Sequence, residues 1–167
     1  GRNISYSFSK NYFTEKFQKN NTQNCTYENF DIQDVNEFPN IIQNNPDLLG
    51  INITIPYKET VIPFLTSLTE NALKIGAVNV IKITKEGAII GDNSDYYGFK
   101  KALEPLLQPH HTNALILGTG GASKAVAFAL EDLGIGYTFV SRKASENAIS
   151  YDQLDANTFS KYQIVIN

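Results

Sequence analysis

Cysteine, methionine, tryptophan and excess charge are scarce or absent in this chain. Cys25 is the single cysteine among 167 residues, which excludes an internal disulfide and fits a reducing cytoplasm. With 14 basic and 17 acidic side chains the net charge is −3, which does not indicate a cationic surface for nucleic acid or anionic membranes. No apolar run approaches the roughly 20 residues of a membrane helix. Residue 1 is not methionine and the last residues form a strand with nothing after it, so we expect a fragment cut at both ends.

Helix and strand signals alternate through the first part of the chain. Ser9 is a candidate N-cap for a helix that places Phe13 and Phe17 on one face, and Asp34 is a candidate N-cap for a second helix. An apolar run before Pro56 indicates a buried strand, and the proline suits the first turn of a helix. This strand covers 48–55. The other predicted elements are an extended segment at 25–32, helices at 67–76 and 94–107, and strands at 77–84 and 88–91.

The second part of the chain is more regular and begins after a loop at 108–113. Strands are predicted at 114–118, 137–141 and 162–167, with a helix at 119–134. A strand, a helix and a strand at this spacing form a βαβ unit, hence a parallel sheet with right-handed crossovers. The loop marks a domain boundary, so we expect one domain over 1–103 and a second over 104–167.

A glycine-rich turn, LGTGGASKA, joins the first strand and helix of this unit. Gly118, Gly120 and Gly121 allow a tight turn that lets the backbone approach a pyrophosphate, and the helix N-terminus offers free N–H groups. The context matches a dinucleotide site, although Ser123 replaces the third glycine of G-x-G-x-x-G. A phosphate-binding P-loop has a lysine where Lys124 lies, but this turn lacks that motif's second glycine and its hydroxyl. A purely structural turn is the remaining alternative.

Three residues at the end of the next strand indicate which dinucleotide would bind. An NAD-binding unit usually has a carboxylate there for the ribose 2′-OH, whereas this chain has Ser141, Arg142 and Lys143. Two cations attract a 2′-phosphate that a carboxylate would repel. We therefore predict NADP as the cofactor; the alternative is a solvated basic turn.

Polar side chains collect where the strands of the first domain end. Lys58 follows one of these strands and would neutralise a carboxylate or exchange a proton with a ligand, and Asp95 could hold its ammonium group. Each residue alone is explained as well by a local cap or turn, so the prediction depends on the whole group. The group comprises Ser5, Ser7, Asn52, Thr54, Lys58, Asn79, Asn93, Ser94 and Asp95.

Five motifs, in order, resemble the shikimate dehydrogenase family, whose members reduce 3-dehydroshikimate with NADPH on the route to aromatic amino acids. They are SYS at 5–7, NITIPYKE at 52–59, GAVNV at 76–80, GDNSDYYGF at 91–99 and GTGGASKA at 118–125. The resemblance covers nearly the whole chain. It implies an α/β protein with an N-terminal substrate domain, a Rossmann-type NADP-binding domain that is incomplete here, and an active site in the cleft between them.

The resemblance also implies a role for each matching residue. Lys58 and Asp95 would be the catalytic pair, with Lys58 as the proton donor and acceptor. The substrate would contact Ser5 and Ser7 through its carboxylate, and Thr54, Asn79, Lys58 and Asp95 through its hydroxyls. The cofactor would contact Gly118, Thr119, Gly120, Gly121, Ala122, Ser141, Arg142 and Lys143, and Glu70 would lie near it. No metal is implied.

A few positions depart from the family pattern. Ser94 replaces the usual threonine, Tyr96 adds bulk where many members have glycine, and Lys124 replaces a frequent arginine. Glu146 follows Lys143 where the family often has a second arginine, which weakens the attraction for a 2′-phosphate. The alternatives are a quinate/shikimate dehydrogenase of broader specificity and a non-catalytic ligand-binding relative. We expect a monomer or a homodimer.

Overall fold

Short apolar strands alternate with helices, and the computed structural model, which describes all 167 residues, gathers the strands into two four-stranded sheets. The first part contains α1 (Ser9–Lys19), α2 (Phe38–Asn44), β1 (Gly50–Asn52), β2 (Ser67–Leu68), α3 (Glu70–Ile75), β3 (Val80–Ile83), β4 (Ile89–Asp92) and α4 (Asp95–Leu103). The second part contains β5 (Asn113–Leu117), α5 (Gly121–Asp132), β6 (Gly136–Ser141), β7 (Ala148–Ser150), α6 (Ala156–Phe159) and β8 (Ile164–Ile166). The predicted α/β class is confirmed. None of the helices is both long enough and apolar enough to span a membrane.

The first sheet is mixed, with strand order β1-β3-β4-β2. β3 pairs antiparallel with both β1 and β4, while β2 adds parallel to β4. Ala72, Val61, Val78 and Ile81 are the most buried residues of its core, each 1% exposed or less. Val61 follows the turn that carries Lys58, and Val78 directly precedes Asn79. Burial of the two valines therefore fixes the positions of the segments that carry Lys58 and Asn79.

Two predicted elements in this part are wrong in their extent or type. The strand predicted at 48–55 is paired only over Gly50–Asn52. The segment after Pro56 forms consecutive turns and a short 3-10 helix at Ile62–Phe64, and no α-helix. Pro63 has no N–H and therefore cannot continue an α-helix begun at Pro56.

The ends of the helices agree in part with prediction. Asp34 caps the segment that leads into α2, and Gly76 ends α3 with a φ of 69°, as predicted. The prediction that Ser9 caps α1 is wrong, because Ser9 is the first helical residue and Phe8, at the N-cap, has no side-chain acceptor. α3 begins later than predicted because Thr69 caps it. Another difference is a 3-10 turn at Glu104–Leu106, where the helix predicted at 94–107 was to continue; the segment at 25–32, predicted as extended, is neither helical nor part of a sheet.

The second sheet is parallel throughout, with strand order β7-β6-β5-β8. Ala114, Leu115 and Ile116 of β5 are all buried, which is typical of a strand covered on both faces. The strand order reverses at β5, with β6 and β7 on one side and β8 on the other. Open α/β sheets bind ligands at the carboxyl ends of strands beside such a reversal, which is where the glycine turn lies. β7 and α6 were not predicted, because so few residues show no periodicity.

The two parts of the chain pack together through α3, α4 and α5. The ring of Tyr96 on α4 meets Phe128 on α5 edge-on, with 5.2 Å between centroids. The Tyr96 hydroxyl accepts a hydrogen bond from Asn71 Nδ2 on α3 at 2.7 Å. Ala77 and Ala125 are fully buried beside these rings. The ring of Tyr96 therefore fills the interface between the parts.

A hydrogen bond between β6 and α5 makes the fold sensitive to alkaline pH. The Tyr137 hydroxyl donates to Glu131 Oε1 at 2.6 Å. Partial burial, and then the bond to this carboxylate, raise the pKa of Tyr137 to about 12. The unfolded phenol has a pKa of about 10. The resulting stabilisation is therefore complete below pH 10 and is lost as the pH rises toward 12.

We expect the parent protein to be more stable than the Tyr137→Phe variant at pH 8, and this advantage to shrink by pH 11. The reason is that only the parent has a phenol to ionise at this position. Urea denaturation of both proteins at the two pH values measures the difference in unfolding free energy. An advantage of equal size at both pH values would contradict the prediction.

Candidate active site

Lys58 and Asp95 form the centre of the candidate site. Lys58 lies in the turn after β1, and Asp95 is the first residue of α4. The two residues are 37 positions apart in sequence, yet Lys58 Nζ lies 2.7 Å from Asp95 Oδ2. The side chains are 17% and 35% exposed, so the ion pair is partly shielded from water and still open to a ligand.

Asn79 and Ser94 extend this ion pair into a hydrogen-bonded group. Asn79 Nδ2 donates to Asp95 Oδ1 at 2.6 Å, and the Ser94 backbone N–H donates to Asn79 Oδ1 at 2.8 Å. Both carboxylate oxygens of Asp95 therefore have a partner, one from the lysine and one from the asparagine. This arrangement fixes the plane of the carboxylate and hence the direction of the lysine ammonium group.

Asn93 holds the backbone beneath this group. It is 1% exposed, its Nδ2 donates to the Ala77 carbonyl at 3.0 Å, and its Oδ1 accepts from the Asp95 N–H at 3.0 Å. A buried amide that lost these partners would cost about 1–3 kcal/mol. Asn93 therefore ties the start of α4 to the segment before β3. The sequence placed Asn93 among the polar residues but assigned it no role.

The glycine turn places the N-terminus of α5 against Lys58. Gly118 has a φ of 121°, which glycine adopts most readily, and Gly120 is the N-cap of α5 without a side-chain cap. The first N–H groups of α5 are therefore free for an anion. A Cβ on Gly120 would meet no atom within 4 Å, whereas a Cβ on Gly121 would lie 3.0 Å from Lys58 Cβ. Gly120 thus faces open space, like the exposed Thr119 and Ala122, while Gly121 packs on the site.

The basic turn after β6 lies next to the glycine turn. The Gly118 N–H donates to the Val140 carbonyl at 2.8 Å, which joins the ends of β5 and β6. Ser141 donates its hydroxyl proton to the Lys143 carbonyl and so stabilises the basic turn locally. Arg142 and Lys143 are exposed and form no ion pair. The two cations therefore remain available to an anionic ligand.

Four other predicted site residues are not hydrogen-bonded to the group around Asp95. Ser7 and Thr54 line a cavity of about 980 Å³ beside the first sheet, and the Lys58–Asp95 pair does not line it. Ser5 is exposed. Glu70 accepts from Lys74 Nζ at 2.7 Å, and from no group of the glycine turn. Groups of three or more His, Cys, Asp or Glu side chains that could hold a metal ion are absent.

An ion pair that the sequence did not predict joins the two parts of the chain beside Lys58. Lys124 Nζ lies 2.5 Å from Glu59 Oε2, although the residues are 65 positions apart. A P-loop would use this lysine on a phosphate. Here the Lys124 ammonium group is bonded to a carboxylate of the first part of the chain.

A family model described as the shikimate dehydrogenase substrate binding domain matches residues 1–81. The chain is 34% identical over 179 positions to shikimate dehydrogenase (NADP(+)) of Clostridium botulinum strain Loch Maree, which covers all of this chain and 68% of the relative. It is 45% identical over 115 positions to the enzyme of the same name from Syntrophomonas wolfei, covering 67% of this chain and 39% of the relative.

Two solved structures resemble the fold over most of the chain. Shikimate dehydrogenase 1 of Peptoclostridium difficile superposes with a TM-score of 0.78 at 32% identity, covering 88% of this chain and 57% of that one. Shikimate 5-dehydrogenase of Thermus thermophilus, in complex with NADP(H) and shikimate, gives a TM-score of 0.82 at 26% identity, covering 98% of this chain and 64% of that one. The chain thus spans about two thirds of the C. botulinum relative and somewhat less of these two solved chains.

The close approach of Gly121 to Lys58 predicts an unusual response to alanine. Glycine to alanine inside a helix ordinarily stabilises by roughly 0.5–1 kcal/mol. We expect Gly98→Ala in α4 to show this gain, because a Cβ there meets no atom within 4 Å. We expect Gly121→Ala to be less stable than Gly98→Ala by about 1 kcal/mol, because its Cβ would crowd Lys58. Urea denaturation measures the unfolding free energy of both variants. Equal stabilisation by the two alanines would show that Gly121 does not pack closely on Lys58.

Proposed function

This chain belongs to the shikimate dehydrogenase family, and from that premise we propose that it is the larger part of an NADP-dependent enzyme that reversibly reduces 3-dehydroshikimate to shikimate. The observation that carries the proposal is the contact of Lys58 with Asp95 beside the N-terminus of α5. The C. botulinum relative, which is named as an NADP(+) enzyme, is longer than this chain. We therefore assign the activity to the full-length enzyme.

Lys58 is the proton donor in this proposal. Reduction of the C3 carbonyl generates an alkoxide that needs a proton, and a positioned lysine ammonium group supplies it. In the reverse direction the neutral amine takes the proton from the alcohol. Asp95 orients the ammonium group, and Asn79 holds the second carboxylate oxygen of Asp95. NADPH, when bound, supplies the hydride.

The substrate contacts come from polar side chains around this pair. Ser5 and Ser7 bind the substrate carboxylate through their hydroxyls, and Thr54 and Asn79 bind its hydroxyls. Ser7 and Thr54 support this assignment because they line one cavity, and Thr54 lies four residues before the proton donor. Asn79 supports it through its direct bond to Asp95.

The residues of the second part fit an NADP molecule. The uncapped N-terminus of α5 and the open space at Gly120 suit a pyrophosphate, which the segment 118–122 would hold. Ser141, Arg142 and Lys143 would hold the 2′-phosphate, since both cations lack an ion-pair partner. Glu70, the first residue of α3, would lie near the cofactor.

The organisation of the protein is proposed on the same basis. Residues 1–103 form the substrate domain and residues 104–167 the first portion of the cofactor domain, since each contains its own sheet. We place the enzyme in the cytoplasm, because a single cysteine suits a reducing compartment. We propose that it acts as a monomer or a homodimer.

Lys58→Ala in the full-length enzyme should lower kcat by about 10²–10⁴-fold while the KM for shikimate changes little. The reason is that the variant lacks the group that transfers the proton. Steady-state oxidation of shikimate with NADP measures both constants. Lys101→Ala is the control, because Lys101 pairs with Glu104 on the surface of α4. A change in KM alone would make Lys58 a binding residue.

The same assay separates the alternative functions. Turnover of quinate as fast as shikimate would indicate the broader quinate/shikimate specificity. Absence of shikimate-dependent NADP reduction by the intact protein would indicate a ligand-binding relative without activity. The pair of Lys58 and Asp95 argues against a relative without activity, which would need no proton donor, whereas a quinate/shikimate dehydrogenase would use the pair in the same way.

Replacement of both Arg142 and Lys143 by alanine should raise the KM for NADP by about tenfold or more and leave the KM for NAD nearly unchanged. Only NADP carries the 2′-phosphate that the two cations would attract. Kinetics with each cofactor at saturating shikimate measure the change. An equal rise for both cofactors would show that the basic turn does not recognise the 2′-phosphate.

A further inference from the structure

We propose that Glu59 is a positioning residue, which holds Lys58 in a fixed place relative to the first turn of α5 through its ion pair with Lys124. The inference rests on the proposed function for the roles of Lys58 and α5. The ion pair itself is a feature of the structure, with Lys124 Nζ 2.5 Å from Glu59 Oε2.

Two contacts bring α5 against the turn that carries Lys58. Gly121 packs on the Lys58 side chain so closely that a Cβ would lie 3.0 Å from Lys58 Cβ. Lys124 is three residues further along α5 and therefore lies on the same face of the helix. Van der Waals packing at Gly121 limits how near the helix can come, whereas the ion pair resists its moving away. Together they define the separation between Lys58 and the helix N-terminus.

The first part of the chain contacts the turn that carries Lys58 from the side opposite α5. The Val78 N–H donates to the Lys58 carbonyl at 2.7 Å. The ring of Tyr57 is buried, and its hydroxyl donates to the Ile32 carbonyl at 2.9 Å. The turn is thus attached by its backbone to the segment before β3 and by Tyr57 to the segment before α2. Glu59 is the residue of this turn whose side chain forms an ion pair with α5.

Because the Glu59–Lys124 ion pair is exposed, we expect its loss to affect the reaction rate more than the stability of the fold. The side chains of Lys124 and Glu59 are 38% and 41% exposed, and exposed ion pairs contribute little to stability because solvent and salt screen them. The rate of a reaction is far more sensitive to geometry, since a displacement of about 1 Å can cost about 100-fold. Loss of the pair should therefore lower kcat with little change in unfolding stability.

A second ion pair provides a matched control. Lys100 on α4 pairs with Asp132 at the last residue of α5, so it also joins this helix to the first part of the chain. It lies at the opposite end of α5 from the glycine turn. Asp132→Asn removes an ion pair of the same type without touching the segment around Lys58.

The principal test is the kinetics of Glu59→Gln and Lys124→Met in the intact enzyme. We expect each to lower kcat for shikimate oxidation by about tenfold, with both KM values within about twofold of the parent. The double variant should be no slower than either single variant, because both remove one interaction. Lys124→Arg, which keeps the charge, should recover most of kcat, and Asp132→Asn should match the parent.

Amide hydrogen exchange provides a readout without substrate or cofactor. The Val78 amide reports on the Lys58 backbone because its hydrogen bond ends on the Lys58 carbonyl. We expect Glu59→Gln to lose protection at Val78, while Asp132→Asn keeps it. Unfolding stability of both variants should stay close to that of the parent.

The outcomes distinguish this inference from the proposed function. An intact parent without shikimate oxidation would refute the function, while loss of Val78 protection in Glu59→Gln would still support the coupling. An active parent whose Glu59→Gln variant keeps full kcat and full protection would overturn the inference. A raised KM for NADP in Lys124→Met alone, with kcat unchanged, would make Lys124 a cofactor ligand and would also overturn it.

Discussion

The carboxylate of Asp95, shared between the Lys58 ammonium group and the Asn79 amide, determines where the other functional groups of this protein must lie. Its two oxygens point to different partners, so neither partner can move without tilting the carboxylate. A lysine side chain has many rotamers, and holding one of them costs conformational entropy. Asp95 offsets that cost with a charged hydrogen bond, which leaves the ammonium group aimed in one direction.

The register of the first sheet is what makes this arrangement possible. Val80, the first residue of β3, pairs with Asn52 at the end of β1 and with Asp92 at the end of β4. Asn79, the turn after β1 and the start of α4 therefore leave the sheet at the same end. A slip of one residue in β3 would turn its side chains to the opposite face and separate these groups. Burial of Val78 and Ile81 opposes such a slip, so the apolar core secures the polar site.

Local features of this protein could be predicted from sequence, and so could one contact between distant segments, the pair of Lys58 with Asp95. The glycine turn and the βαβ unit after it are predictable because each signal lies within a few consecutive residues. The strand at 48–55 was predicted too long, since an apolar run does not show where its ladder partner ends. The pairing of Glu59 with Lys124 spans 65 positions, and nothing in either segment indicates the other. Lys124 has the spacing from Gly118 of a P-loop lysine, but Ser123 and Ala125 already argued against that motif.

The first turn of α5 agrees with the sequence, which lacks the second glycine and the hydroxyl of a P-loop. A P-loop requires a hydroxyl at the position of Ala125, to hold a metal ion beside the phosphates. Here Ala125 is fully buried against Ile75 and Ala77, where a hydroxyl would lie among apolar side chains. Lys124, next to it, pairs with Glu59. The same helical turn therefore has free backbone N–H groups, while the Lys124 side chain pairs with the first part of the chain. This division suits the proposed cleft between two domains, in which one helix would face both the cofactor and the lysine proposed as proton donor.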